Sequence, residues 1–199
     1  MSFGGNKHLC TMKRIAIFAS GTGSNAKKIL EYFKTSSQVS VDLICTNKSD
    51  AGVLEIAKNF EVPSLLLEKE QFFMGDGYTP ILKELKIDWI ILAGFLWKIP
   101  LSLLRGWENK IINIHPALLP KYGGEGMYGN AVHAAVIQAK ESVSGITIHY
   151  VDEQYDHGAV IFQAECAVVE NDTPASLAQR IHALEHLHFP RVIEEVIRA

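Results

Sequence analysis

Asn113 and His115 alternate with β-branched residues in Ile111-Ile-Asn-Ile-His115, a run closed by Pro116. An amide offers an N–H donor that does not titrate, and an imidazole holds or moves a proton near neutral pH. Two such side chains at one strand end suit a developing oxyanion. A capping asparagine beside a hydrogen-bonded histidine is the purely structural alternative. Further along, Asp156 stands in Asp156-His-Gly158, a glycine-ended turn where a carboxylate can lie close to an imidazole; an ordinary surface turn is its alternative. Near the start, Ser20-Gly-Thr-Gly-Ser-Asn25 puts glycines and small polar side chains just after an apolar run. Glycines let the backbone approach a ligand, and the free N–H groups of a helix start attract an anion such as a phosphate.

The elements that must position these residues follow from periodicity. Arg14-Ile-Ala-Ile-Phe-Ala-Ser20 predicts a buried strand leading through the glycine turn into a helix carrying Ile29, Leu30 and Phe33. The turn also fits G-x-G-x-x-A, the opening of a dinucleotide site, but the next strand, Val39 to Thr46, ends at Asn47 where a ribose-holding acid is expected. That leaves a monophosphate site, or a tight turn with no ligand. A helix over 52–60, a short strand over 63–67, a helix over 78–85 and a buried strand over 89–95 continue the β-α alternation. Phe95, Leu96, Trp97 and Ile99 follow the last of these strands, at the sheet edge that also carries Asn113 and His115. They suit the wall of a flat-ring pocket, or plain core packing.

Past Pro120, the glycine-rich 123–129 predicts a long loop before a helix over 130–139 that carries His133. Gly145 to Val151, with His149 in it, and Val160 to Cys166 alternate as paired strands. Thr173-Pro174 signals a helix start, and Pro190 is expected to kink or interrupt the long helical pattern that follows. The whole predicts one α/β domain: an open, mainly parallel twisted sheet, helices on both faces, later strands partly antiparallel.

A chain of 199 residues with 48% hydrophobic residues is long enough for a sizeable core, and a net charge of −3 with scattered Lys and Arg gives no basic face for nucleic acid. Cys10, Cys45 and Cys166 form no C-x-x-C, which points to a reducing cytoplasm rather than a disulfide framework. Residues 1–12 lack the apolar core of a signal peptide and are expected to be a disordered leader, and no run reaches the roughly 18 apolar residues of a membrane span. His182 and His186 share a helix face with Glu185 and His188 nearby, yet no H-E-x-x-H or cysteine cluster accompanies them, so no metal is expected.

Taken in order, Ser20-Gly-Thr-Gly-Ser-Asn25, Leu92-Ala-Gly-Phe95, Asn113-Ile-His-Pro-Ala-Leu-Leu-Pro-Lys-Tyr122 and Asp156-His-Gly158 resemble the phosphoribosylglycinamide formyltransferases, folate-dependent enzymes of purine synthesis, from Lys13 to the C-terminus. The resemblance implies a catalytic set of Asn113, His115 and Asp156, and a ribonucleotide site of Gly21, Thr22, Gly23, Ser24 and Asn25, with Glu185 contacting the glycinamide end. It places the 10-formyltetrahydrofolate site on Leu92, Leu96, Trp97, Lys98 and Ile99 together with Val151, Asp152, Glu153, Gln154 and Tyr155. It also implies a phosphate-binding half over 13–100, a folate and catalytic half over 101–199, small-molecule partners only, and a monomer or homodimer. In this chain Asp156-His-Gly replaces the more usual D-G-G, and the segment from Gly123 to Val132 is longer than in typical members. Other users of the same folate remain as alternatives. A methionyl-tRNA formyltransferase usually carries a further C-terminal domain, and a formyltetrahydrofolate hydrolase an N-terminal one. A non-enzymatic nucleotide-binding module would leave the three catalytic residues without a purpose.

Overall fold

A computed structural model describes residues 11–199, so the leader expected over 1–12 lies, up to residue 10, outside the described residues. The elements run β1 (Lys13–Phe18), α1 (Ser24–Phe33), β2 (Val39–Thr46), α2 (Val53–Asn59), β3 (Ser64–Leu66), α3 (Lys69–Phe73), α4 (Thr79–Glu84), β4 (Trp89–Leu92), α5 (Leu101–Gly106), β5 (Ile111–His115), α6 (Asn130–Gln138), β6 (Val143–Tyr150), β7 (Val160–Ala167) and α7 (Pro174–Arg198). They form a seven-stranded sheet in the order β3-β2-β1-β4-β5-β6-β7. Strands β1 to β5 pair in parallel, whereas β6 and β7 are antiparallel. The open, mainly parallel sheet expected from the sequence is the one found.

The central strands β1 and β4 are apolar on both sides because both faces of the sheet are covered there. One core gathers Ile15, Ile17, Ile29, Phe33, Ile112, Ile181 and Phe189 between the sheet and α1, α6 and α7; the other gathers Phe18, Phe72, Leu82, Ile90, Leu103 and Trp107 on the opposite face. The short helices α3 and α5 were not anticipated, each being too brief to show a full period. Pro190 does not interrupt α7, which stays helical for 25 residues. The proline removes one backbone bond, but Leu177, Ile181, Phe189, Val192 and Ile193 bury the face around it, and that packing outweighs the local cost. At the other end Thr173 Oγ1 accepts the Ser176 N–H at 3.2 Å, the cap that the Thr-Pro pair announced.

Two features of this topology make a site. The chain leaves β1 toward β2 and β3, then returns to add β4 on the other side of β1, so the loops after β1 and β4 diverge and open a crevice at the carboxyl ends of the strands. Strand β6 then runs antiparallel to β5 and sets His149 directly across from Asn113.

The Asp156-His-Gly158 turn is anchored by its last residue. Asp156 takes a left-handed backbone, φ 53°, and His157 does not, so a side chain at 157 costs nothing conformationally. Gly158 is different: a Cβ there would collide with the Tyr150 carbonyl oxygen. Gly158→Ala is therefore expected to destabilise the protein by about 1–3 kcal/mol in urea unfolding, whereas His157→Ala, losing only an exposed bond to Asp152, changes stability by roughly 0.5 kcal/mol or less.

Candidate active site

Asn113, His115 and Asp156 converge although they come from β5 and from the loop after β6. One Asn113 Nδ2 hydrogen bond goes to His149 Nε2 at 3.0 Å, and a longer one reaches Asp156 Oδ1 at 3.4 Å. His149 Nδ1 faces the Tyr150 carbonyl at 2.7 Å, so the ring's proton sits on Nδ1 and Nε2 is free to accept from Asn113. His115 Nε2 lies 2.7 Å from the Tyr122 carbonyl and must donate to it. That leaves Nδ1, with its lone pair, 3.4 Å from Asp156 Oδ2. The Gly124 N–H donates to the same Oδ2 at 2.9 Å.

These contacts set the protonation states. Burial alone would raise Asp156, but the His149 ring 3.6 Å away and the His115 ring, each when protonated, hold it with the Gly124 N–H below the ordinary carboxylate range. Burial lowers His115 below the usual imidazole range, against the opposing pull of Asp156 and the Tyr122 carbonyl. Near neutral pH the pair is thus a carboxylate facing an unprotonated ring nitrogen. It is arranged to accept one proton and share it.

The triad opens on a cavity of about 600 Å³, a volume usual for small-molecule sites, which extends to the glycine turn. Gly21, Thr22, Gly23, Ser24, Asn25 and Glu185 line it, as do Asn113, His115 and Asp156. No side chain caps α1, so the N–H groups of its first turn are left for an anion. Gly23 has φ 77°, and a Cβ on it would press to 2.8 Å from Val53, so a valine there would distort the turn itself as well as weaken a ligand. Asn47, standing where an acid was sought, receives the Ser20 hydroxyl at 2.6 Å, and Ser20 Oγ accepts the Leu96 N–H at 3.0 Å. One hydroxyl so ties the loops after β1, β2 and β4 together. Deeper in, Glu185 is buried and accepts from Asn25 Nδ2 at 2.9 Å; burial raises its carboxyl, opposed by that bond and by His182.

The residues expected around the folate separate into two groups. Leu96 and Tyr155 line the cavity. Leu92 and Ile99 are buried in the second core, Val151 packs against it, and Trp97 packs against Phe72, Phe73 and Phe95. Lys98 Nζ sits 5.9 Å from the Tyr155 ring centre, Asp152 binds His157 and the Gln154 N–H, and Glu153 is exposed. None of these other eight lines the cavity.

The sequence profile described as Formyl transferase matches residues 13–193. The chain belongs to the formyl transferase family. Among its relatives, the chloroplastic phosphoribosylglycinamide formyltransferase of Arabidopsis thaliana is 40% identical over 95% of this chain and 67% of that protein. The one from Bacillus subtilis is 38% identical over 94% of this chain and 95% of its own length, and the chain spans 60% of the Vigna unguiculata relative. The crystal structure of phosphoribosylglycinamide formyltransferase from Bacillus halodurans superposes with a TM-score of 0.84 at 36% identity, covering 93% of this chain and 95% of that one.

Within this formyl transferase, residues given no site role from the sequence include His133, His182 and Lys48 in the cavity lining and His149 behind Asn113. His149 could be found only by knowing which residue of β6 lies opposite Asn113, which no local pattern gives. Lys48 directly follows Asn47 at the carboxyl end of β2, so the strand assignment already put a cation at the binding edge. His182 and His186 stack at 6.3 Å between ring centres, and among the described residues no cluster of three or more His, Cys, Asp or Glu is placed to hold a metal.

His133 is 2% exposed and its Nδ1 has no partner, and burial, then the nearby His182 and His115, push it down to about 4. Below 6.5 the unfolded chain binds a proton at this position that the folded chain refuses, so stability falls as pH drops from 6.5 toward 4. Replacing it by glutamine is expected to flatten that part of the Tm-against-pH curve, by an amount on the order of 1–3 kcal/mol.

Proposed function

We propose that the chain transfers the formyl group of 10-formyltetrahydrofolate to the primary amine of glycinamide ribonucleotide, the reaction of purine synthesis named by its relatives. The observation that carries the reading is the meeting of Asn113, His115 and Asp156 at one end of a cavity whose other lining includes the uncapped glycine turn. The ribonucleotide phosphate lies on the N–H groups of Gly21 to Asn25 with Lys48 beside them, and Glu185 holds the part of the substrate nearer the amine. Leu96 and Tyr155 flank the folate ring, and Leu92, Trp97, Lys98, Ile99 and 151–154 support the loops that carry them. Residues 13–100 thus supply most of the phosphate subsite and 101–199 most of the catalytic one. Small molecules are the partners, the protein acts as a monomer or homodimer, and the free Cys45 and Cys166 suit a reducing cytoplasm. No described helix is long and apolar enough to cross a membrane.

On this reading each group has a step. The amine attacks the formyl carbon, and its lone pair forms the new C–N bond while the carbonyl electrons move to oxygen. Asn113 exchanges its long 3.4 Å contact with Asp156 for a bond to that oxyanion. The proton shed by the amine goes to the His115–Asp156 pair, and the imidazolium so formed adds positive charge beside the oxyanion. The same proton passes to the folate nitrogen as the C–N bond to it breaks, releasing tetrahydrofolate and the formylated amide. No covalent enzyme intermediate is needed, because positioning and charge supply the acceleration.

Incubating the protein with 10-formyltetrahydrofolate with and without glycinamide ribonucleotide tests this directly. Transfer requires that tetrahydrofolate appear only with the ribonucleotide present, matched by formylated product. Formate release without the amine would instead make it a hydrolase. Asp156→Asn keeps the shape and removes the charge, and is expected to lower kcat by about 10²–10⁴-fold with ribonucleotide KM little changed.

A further inference from the structure

Both halves of the proton-accepting pair are held by a single short turn. The Tyr122 carbonyl takes the His115 Nε2 proton at 2.7 Å, and two residues on, the Gly124 N–H donates to Asp156 Oδ2 at 2.9 Å. His115 Nδ1 and Asp156 Oδ2, 3.4 Å apart, close the ring. We propose that Tyr122-Gly-Gly124 is a positioning element for the transfer reaction: its two backbone groups dictate which nitrogen of His115 bears hydrogen and which oxygen of Asp156 faces the other. The proposal rests on the formyl-transfer reading for its kinetic consequence, but its structural content does not.

Little room is left for a side chain at residue 123 of this turn. A Cβ at Gly123 would lie 2.5 Å from Leu119 Cδ2 and 3.1 Å from Asp156 Cβ, so Leu119 would have to turn away and Asp156 to shift by a few tenths of an ångström. The backbone on either side is in the left-handed region, with φ 58° at Tyr122 and 101° at Gly124. From outside, the turn is pinned by Tyr122 itself. Its hydroxyl donates to Glu141 Oε1 at 2.8 Å, an oxygen that Lys121 Nζ also reaches at 2.8 Å.

The consequence is chemical. Without the Tyr122 carbonyl, Asp156 would draw the neutral imidazole's proton to Nδ1, and the pair would already hold the hydrogen it has to receive from the amine. With the carbonyl in place the proton is parked on Nε2 and Nδ1 stays open. The Gly124 N–H and the Asn113 amide likewise help keep Asp156 ionised; His149 and His115 also face it and add to this only when protonated.

Ring-nitrogen NMR of the ¹⁵N-histidine-labelled protein near neutral pH tests the tautomer without reference to activity. His115 carrying hydrogen on Nε2 is expected, and hydrogen on Nδ1 in the wild-type protein would overturn the proposal whatever reaction the enzyme performs. Gly123→Ala, once its melting curve shows it folded, should mix the two tautomers and lower kcat by about 10–100-fold, with ribonucleotide KM changed far less. The acid limb of its kcat profile should move to higher pH, as Asp156 loses the N–H that helps hold it ionised. Adding Leu119→Ala to Gly123→Ala removes the closest obstruction and should restore part of the lost rate. A folded Gly123→Ala with wild-type tautomer and wild-type kcat would also overturn the proposal. If the wild-type protein shows the Nε2 tautomer yet transfers no formyl group, the turn is as described and the functional reading alone fails.

Discussion

A carboxylate buried beside two imidazoles is the constraint on which the rest of this molecule depends. The Asp156 side chain is only 11% exposed, and an ion taken that far out of water costs several kcal/mol unless donors and positive charge replace its hydration. The direct donors come from two separate parts of the chain, Asn113 on β5 and the Gly124 N–H in the loop between β5 and α6, while His115 on β5 and His149 on β6 supply positive charge only when protonated. Gly158 lets the aspartate's turn lie against Tyr150, and Gly123 lets the loop cross above the carboxylate.

The mixed sheet answers this demand. Parallel strands β1 to β5 bring loop ends to one edge, as doubly wound sheets do, and so give a glycine turn and an apolar loop on either side of a crevice. A further parallel strand would not place His149 opposite Asn113; the reversal at β6 does, with the register Asn113↔His149. Long α7 then packs across the sheet and lowers Glu185 and His182 into the cavity from above α1. The glycine turn and the His115–Asp156 pair therefore line one cavity, although Asn25 and His115 are 90 residues apart in sequence.

Strand and helix identities along the chain were legible because they rest on local physics. Continuous apolar runs such as Ile15 to Ala19 can only be strands buried on both faces or short core helices, and the flanking glycines decide in favour of strands. The Thr173-Pro174 cap is equally local, since both signals sit within one helical turn. Residue type and spacing made Asn113, His115 and Asp156 candidates for proton and oxyanion chemistry and the turn at Gly21 a candidate anion site, and the resemblance carried by the order of motifs implied the catalytic set. Short α3 and α5 escaped for want of length, and Pro190 misled because its local cost is met by burial against elements far away in sequence.

Residue types and their order along the chain fix the kind of chemistry available, because donor, acceptor and titration range belong to each side chain. They do not fix which atoms face one another. That His149 stands behind Asn113, that the His115 proton is turned away from Asp156 toward the Tyr122 carbonyl, that Asn47 serves Ser20 instead of a ribose, and that Trp97 is packed among Phe72, Phe73 and Phe95 all follow from strand register and loop crossing. Those are set by the joint packing of segments distant in sequence, and a pairing slipped by one residue would leave every local pattern intact while turning His149 to the opposite face.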